Sequence, residues 1–277
     1  MAKRLNPTFL VPTNRSQNPG TASHAVNHVD VLGVRVSLVT VPELHTHIET
    51  FVRQSQKALV LHVNIHCLNL AYAQRWLFQY LNTANIIFCD GAGILLGTRF
   101  LGHRIPQRIT YADWMWQLAE FAELHKLTLF LLGARPGVAE KAAQCLQERF
   151  TDLLIVGTHH GYFDKTLGSA ENESIIHAIN EVKPNILVVG FGMPAQERWL
   201  MENWDRVAAN VALTGGAVFD YVSGELRRGP RWMTDNGLEW LARLAIEPRR
   251  LWQRYLIGIP LFFWRILKQR LRLLQVD

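Results

Sequence analysis

The sequence predicts an α/β fold: a Rossmann-like, doubly wound, mainly parallel sheet with helices on both faces, followed by a C-terminal helical appendage. Three observations carry this reading. Short apolar runs of strand length recur, amphipathic stretches of helical spacing separate them, and the runs end in glycine or an acid. Strands that are apolar throughout need cover on both faces, and helical crossovers between parallel strands supply it. The chain has 277 residues, 49% hydrophobic and 19% charged, enough for one large domain with a substantial core, alone or with an extension.

Residues 1–27 carry Pro7, Pro12, Pro19 and Gly20 without sustained periodicity and read as a disordered leader. From His28 the alternation of Val29, Val31, Val34, Val36 and Val39 predicts a hairpin turning at Leu32-Gly33. Leu44, Ile48, Phe51 and Val52 then share one face of a helix after Pro42. Strands are predicted over 58–63, 85–89, 127–132, 153–156, 186–189 and 207–213. Helices over 68–81, 111–125, 136–150, 174–182 and 195–203 alternate with them. Pro136 stands near the start of its helix, where its missing N–H costs nothing. The doubly wound domain is therefore expected over 28–224 and the appendage over 225–277.

Four strand ends carry glycine or an acid: Asp90-Gly91, Gly133, Gly190-Phe191-Gly192 and Gly215-Gly216. Glycine lets a ligand approach the backbone, and the helix N-termini that follow can take a phosphate. In open α/β sheets ligands sit outside the carboxyl ends of the strands. Each of these ends alone fits an ordinary turn; together on one edge they favour a nucleotide or nucleotide-sugar site. A dinucleotide dehydrogenase is disfavoured, because Gly190-Phe191-Gly192 continues as Met193-Pro194-Ala195 and lacks the third glycine of GxGxxG. No GxxxxGK[ST] occurs, and no Asp-x-Asp to hold a divalent ion on a diphosphate. The closest histidine pairs, His62/His66 and His159-His160, have no carboxylate at ligand spacing, so no metal is expected. Cys67, Cys89 and Cys145 lie far apart, as buried thiols do in a reducing compartment. A diphosphate would then fall to backbone amides, helix ends and arginines. Arg108, in Arg108-Ile109-Thr110, is either such a clamp or a surface residue at a helix start. Gln196 and Glu197 are either first-turn caps or a polar pair aimed at a sugar or diphosphate.

The chain carries a motif series: Asn64, Cys89-Asp90-Gly91-Ala92-Gly93, Arg108-Ile109-Thr110, Gly190-Phe191-Gly192-Met193-Pro194-Ala195-Gln196-Glu197 and Gly215-Gly216-Ala217-Val218-Phe219-Asp220-Tyr221-Val222-Ser223-Gly224. Arg228-Gly229-Pro230, Gly237-Leu238-Glu239-Trp240, Arg243-Leu244, Glu247-Pro248-Arg249-Arg250 and Arg254-Tyr255 continue it in order. This series gives the chain a resemblance to the WecG/TagA/CpsF family of bacterial glycosyltransferases. The resemblance implies an inverting, metal-independent hexosyltransferase of bacterial surface polysaccharide or teichoic acid synthesis. Such an enzyme needs no cofactor and moves a sugar from a UDP-sugar to a polyprenyl-diphosphate-linked saccharide at the cytoplasmic membrane face. An N-acetylmannosamine-type sugar, a uronic acid or a hexose would each suit. By resemblance Asp90 is the catalytic base, with Arg108 and Gln196 catalytic beside it. Asn64, Gly91, Gly93, Thr110, Gly133, Gly190, Gly192, Glu197, Gly215, Gly216 and Asp220 are the expected substrate-binding residues. Arg249, Arg250 and Arg254 match the arginines that close over the site. One departure stands out: the family often has Thr-Pro-Asn where this chain has His62-Val63-Asn64.

Charge singles out the appendage. Residues 1–224 hold 18 Lys+Arg against 18 Asp+Glu, whereas residues 225–277 hold 11 against 5, the whole net +6. An anionic partner follows, nucleic acid or a membrane surface. Trp232, Trp240, Trp252, Tyr255, Phe262, Phe263 and Trp264 alternate with arginines at helical spacing, which favours a helix on an anionic bilayer over nucleic acid. The longest apolar run, Leu256–Trp264, is far short of the ~20 residues a spanning helix needs. Packing of the tail on the body is the other reading, and the two are compatible. Truncation before Pro248 is expected to leave a soluble, folded body with little transferase activity. With no apolar run of signal type at the start, the chain is expected to be cytoplasmic, peripheral on the inner face of the plasma membrane, with room for a homo-oligomer. Two other functions compete: a nucleotide-dependent oxidoreductase and a non-catalytic UDP-binding membrane adaptor.

Overall fold

The structure is a computed structural model that describes residues 26–273. The expected leader lies outside the described residues except for its last two. A hairpin of β1 (His28–Val31) and β2 (Val34–Ser37) turns through Leu32-Gly33, as expected. α1 (Val41–Arg53) starts from a capping box made by Thr40 and Glu43. There follow β3 (Ala58–Val63), α2 (Ile65–Ala73), α3 (Arg75–Leu81), β4 (Ile86–Cys89), α4 (Ala92–Phe100) and α5 (Tyr111–Leu124). Next come β5 (Leu129–Gly133), α6 (Val138–Arg149), β6 (Ile155–His159), α7 (Ala170–Val182), β7 (Ile186–Gly190), α8 (Ala195–Asn203), β8 (Val211–Thr214) and α9 (Val218–Val222). The tail holds α10 (Arg231–Asp235), α11 (Glu239–Ile246), α12 (Pro248–Trp252), a π-helical turn over Gln253–Ile257, and α13 (Gly258–Arg270).

Among the described residues six parallel strands form one sheet in the order β4-β3-β8-β7-β5-β6. Alternate strand residues enter two cores. Leu59, Leu61 and Val63 join one with α2, α3, α7 and α8; Val60, Ile86 and Phe88 join the other with α1, α5, α6 and α9. Two covered faces explain why these strands read as unbroken apolar runs. The hairpin shields the β4 edge, where Ser37 Oγ accepts a hydrogen bond from the Ile87 N–H at 3.1 Å.

Several boundaries differ from those the sequence predicts, each for a local reason. The expected 68–81 helix is two, α2 and α3, because Gln74 between them is extended at φ −126°, ψ 102°. α7 begins four residues early, at Ala170, where the Ser169 side chain caps the Asn172 N–H at 3.2 Å. β6 covers 155–159 instead of 153–156, and β8 begins only at Val211, after a 3₁₀ turn over Trp204–Arg206. α4 has no counterpart among the predicted helices: Gly93 and Gly97 depress its helix propensity, and the strand-end glycines point to a turn.

The last helix is part of the body. Phe262 and Ile266 are fully buried and join the first core. α13 crosses α4 so closely at Gly97 that a Cβ there would lie 2.9 Å from the Phe262 ring. Asn69 donates to the Gly258 carbonyl at 2.7 Å, and Arg265 donates to Asn69 Oδ1 at 2.8 Å. A cut before Pro248 would therefore open the core, contrary to the expectation of a folded remainder. Gly258 and Pro260 directly follow the π-helical turn, and the helical backbone runs without a break from Pro248 to Arg270. No described helix is long and apolar enough to cross a membrane.

Candidate active site

β3 and β8 are neighbours in the sheet, yet α2 after β3 packs into one core and α9 after β8 into the other. The loops diverge at this switch point and leave a crevice outside the strand ends. A cavity of about 540 Å³ fills it. Its floor is made by strand ends: His62 and Asn64 after β3, Asp90 and Gly91 after β4, Gly215 and Gly216 after β8. Gly93, Arg108, Thr110, Tyr111 and Gly192 line its sides. Asn236 to Trp240, Arg243, Arg250, Leu251, Arg254 and Tyr255 of the tail close over it.

Asp90 is anchored by its N–H, which donates to the Val63 carbonyl at 2.9 Å. Gly91 has φ +132°, a conformation L side chains rarely adopt, and this turns the chain straight from β4 into α4. Burial pushes the Asp90 carboxyl up to about 6, against the opposing pull of Arg243, Arg254, Arg108 and the Tyr111 N–H. Desolvation thus outweighs three cations and keeps the carboxylate basic.

Arg243 and Arg250 share the carboxylate of Glu247, 4.0 Å from Arg243 Nη2, whereas Arg108 and Arg254 form no ion pair among the described residues. Arg108 donates from Nη2 to the Thr234 carbonyl at 2.9 Å, tying the Asp90 side of the site to α10. Close by, Gly237 (φ +76°) approaches α4 so tightly that a Cβ would lie 2.6 Å from Ala92 Cβ. The buried Nε atoms of Arg243 and Arg254 have no hydrogen-bond partner among the described residues. Arg243 stacks 5.6 Å from the Tyr221 ring, and Arg254, its pKa lowered by burial, lies 5.4 Å from the Tyr255 ring. Arg250 is paired with Glu247 at 2.9 Å. Partly buried arginines that line a cavity are suited to an anion brought by a ligand.

Of the residues singled out in the sequence, Asn64, Asp90, Gly91, Gly93, Arg108, Thr110, Gly192, Gly215, Gly216, Arg250 and Arg254 line this one cavity. Asn64 also caps α2, accepting from the Cys67 N–H at 3.1 Å. Gln196 and Glu197 lie beneath the wall, fully buried. Gln196 Oε1 accepts from the N–H groups of Gly192 at 3.2 Å and Gly216 at 2.9 Å, and its Nε2 donates to Glu197 Oε1 at 2.8 Å. It joins two glycine turns from below. Burial pushes Glu197 up to about 7 against that hydrogen bond, and its Oε2 has no partner among the described residues. Gly133, Gly190, Asp220 and Arg249 do not line the cavity. The two glycines serve strand packing: a Cβ on Gly133 would lie 2.4 Å from the Gly190 carbonyl oxygen, and one on Gly190 2.9 Å from Phe219. Asp220 is half-buried with Arg135 opposing its raised pKa, and Arg249 is exposed.

The cavity also holds residues the sequence reading did not assign to a site: Arg243, Tyr221, Glu239, Trp240, Tyr255 and His66. Burial, then the Arg254 charge, pushes His66 down to about 4. Arg243, Arg250 and Arg254 stand at i, i+7 and i+11, one helical face, which was the available signal; Pro248 hid it by breaking the helix. A basic carboxylate facing a group of arginines can take a proton from a nucleophile while the arginines receive a departing anion. Among the described residues no group of three His, Cys, Asp or Glu side chains could hold a metal ion.

Comparison with known proteins gives a family and its relatives. Residues 29–276 match the glycosyl transferase WecG/TagA/CpsF family. The chain is 28% identical over 244 residues to the N-acetylglucosaminyldiphosphoundecaprenol N-acetyl-beta-D-mannosaminyltransferase of Staphylococcus aureus strain NCTC 8325 / PS 47, covering 87% of this chain and 93% of that protein. The proteins of the same name from strains COL and MW2 match with the same identity and coverage.

Proposed function

The chain belongs to the glycosyl transferase WecG/TagA/CpsF family, and on that premise we propose that this glycosyltransferase moves a sugar from a UDP-sugar to a polyprenyl-diphosphate-linked saccharide. The acceptor class is the one in the names of its Staphylococcus aureus relatives. The acceptor hydroxyl oxygen attacks the anomeric carbon, and the bond from that carbon to the diphosphate breaks on the opposite side with inversion. The electron pair leaves with UDP, and Asp90 takes the hydroxyl proton. Arg108, Arg243, Arg250 and Arg254 receive the diphosphate charge in place of a cation. Gln196, buried below, holds the Gly192 and Gly216 turns in register and acts through them.

One observation carries the reading: a partly buried, basic Asp90 at the floor of a cavity lined by the tail-borne Arg243 and Arg254, each with an unused Nε donor. The tail supports a second part of it. One side of its helices buries Leu251, Tyr255, Phe262 and Ile266; Trp252, Leu256, Ile257, Leu261 and Trp264 are exposed beside Lys268, Arg270 and Arg272. Such an apolar, cation-flanked face suits the anionic inner surface of the plasma membrane, where a lipid-linked acceptor is held. Family membership sets aside an oxidoreductase. A UDP-binding adaptor would need neither Asp90 nor acceptor binding.

The test is a panel of UDP-sugars (N-acetylmannosamine, uronic acid and hexose donors) with a synthetic polyprenyl-diphospho-saccharide, with and without EDTA. Transfer of one donor sugar, unchanged by EDTA, is expected. Loss of transfer in EDTA that a divalent ion restores would overturn the metal-free mechanism. UDP binding with no transfer from any donor would favour the adaptor.

A further inference from the structure

His62 is 3% exposed, yet its ring forms part of the cavity floor. Nδ1 lies 2.6 Å from the Thr214 carbonyl oxygen and 3.0 Å from Thr214 Oγ1. A carbonyl oxygen only accepts, so Nδ1 carries the ring proton and Nε2 keeps a bare lone pair. Nε2 is on the cavity side, beside Gly216: a Cβ on that glycine would lie 3.9 Å from it. The ring is fixed from both sides, with Phe88 at 5.9 Å and Tyr111 edge-on at 5.3 Å. Burial, then the Arg254 charge, lowers its pKa to about 4 despite the Thr214 hydrogen bond, so the imidazole is neutral at physiological pH.

A fixed, neutral acceptor nitrogen repels phosphate and carboxylate oxygens. Its complement is an O–H or an N–H. The strand places it next to the reacting position, because the residue after it, Val63, accepts the Asp90 N–H at 2.9 Å. A threonine hydroxyl could donate as well as accept; imidazole Nε2 in this tautomer accepts only. We infer that His62 is a specificity residue, whose Nε2 accepts a hydrogen bond from a hydroxyl or amide N–H of a saccharide bound at Asp90. The inference rests on the glycosyl-transfer reading and deepens it. A site that must hydrogen-bond a substrate group rejects analogues lacking that group, because its own polar atom is then left unpaired.

The experiment combines substrate and protein deletions. Monodeoxy and N-methylated versions of the donor sugar form one arm, and the same changes to the acceptor sugar form the other. Each is measured as kcat/KM on the wild type, His62→Phe and His62→Gln. One analogue, in one arm, is expected to lose on the order of 10–100-fold on the wild type. His62→Phe is expected to lose a similar factor on the parent substrate and nothing further on that analogue, whereas His62→Gln, which keeps an acceptor, recovers part of the loss. The arm containing the analogue identifies whether donor or acceptor is read. Losses that simply multiply for every analogue would overturn the inference and leave His62 as a packing residue. A readout free of mutants is the ¹⁵N resonance of Nε2 in wild-type protein labelled at histidine. It is expected to move from its unprotonated, non-bonded position when the parent donor or acceptor saturates the site; no movement with either would also overturn the inference. Absence of transfer with parent substrates on the wild type would instead overturn the glycosyl-transfer reading, so the two failures are distinct.

Discussion

Asp90 sets up a conflict between stability and chemistry. Its folded pKa, about 6, stands above the ordinary carboxylate value, so the folded protein favours the protonated form. The stability this contributes is present below the ordinary carboxylate range and is lost as pH rises through about 6. A catalytic base works only once ionised, so with Asp90 in the proposed role kcat/KM is expected to climb through about pH 6 and level off above it. Asp90→Asn should lower turnover by about 10²–10⁴-fold and keep UDP binding. The same variant should raise the melting temperature at pH 7.5, as read by differential scanning calorimetry. A lower melting temperature would mean that the arginines, not burial, dominate the site. Arg254 makes the complementary case. Arg254→Ala is expected to weaken UDP about 10–100-fold in titration calorimetry while leaving uridine unaffected, and Arg254→Lys not to restore it, because lysine lacks the planar fork. Asp90 was legible because an acid and a glycine end an apolar run, a local pattern. Arg243 and Glu239 were not: their link to Asp90 is the folding back of a tail whose basic composition points outward.

At the scale of elements, the strands were legible where both faces are covered, as in β3, β5 and β7, whose apolar runs match their extents closely. Ends set by side-chain caps or single dihedrals were not, as with Ser169 before α7 and Gln74 between α2 and α3. α4 escaped notice because its glycines serve tertiary contacts: Gly93 meets Ile65, and Gly97 meets Phe262. The pairing of α4 with α13 makes a clear forecast. Phe262→Ala empties a fully buried site and should cost about 3–5 kcal/mol in chemical denaturation. A cost near zero would mean that the appendage detaches as a unit. The π-helical turn offsets the helix register immediately before α13, at the segment that delivers Arg254 and Tyr255 to the cavity.

Over the whole molecule, charge and apolar surface are distributed in the same direction. The body to residue 224 is electrically balanced, and the excess cations share the tail with its exposed tryptophans and leucines. Vesicles containing anionic lipid should therefore co-float the protein, less so as salt is raised. Trp264→Glu, which changes an exposed residue outside the cavity, should abolish flotation and spare transfer to a short-chain, water-soluble acceptor. Flotation equal on neutral and anionic vesicles would refute the electrostatic part.

One long-range contact bears on how the enzyme is made. Gln269 in α13 accepts from the Leu32 N–H at 2.9 Å and donates to the Asp30 carbonyl at 3.0 Å, so the first hairpin is secured by the last helix. During synthesis the ribosome releases residues 28–37 hundreds of residues before their partner, at about 5–20 residues per second. The nascent sheet must wait with its β4 edge only provisionally guarded. The roof over Asp90 comes from the same late stretch, so a ribosome-bound chain cannot begin glycosyl transfer until its C-terminal helices have emerged.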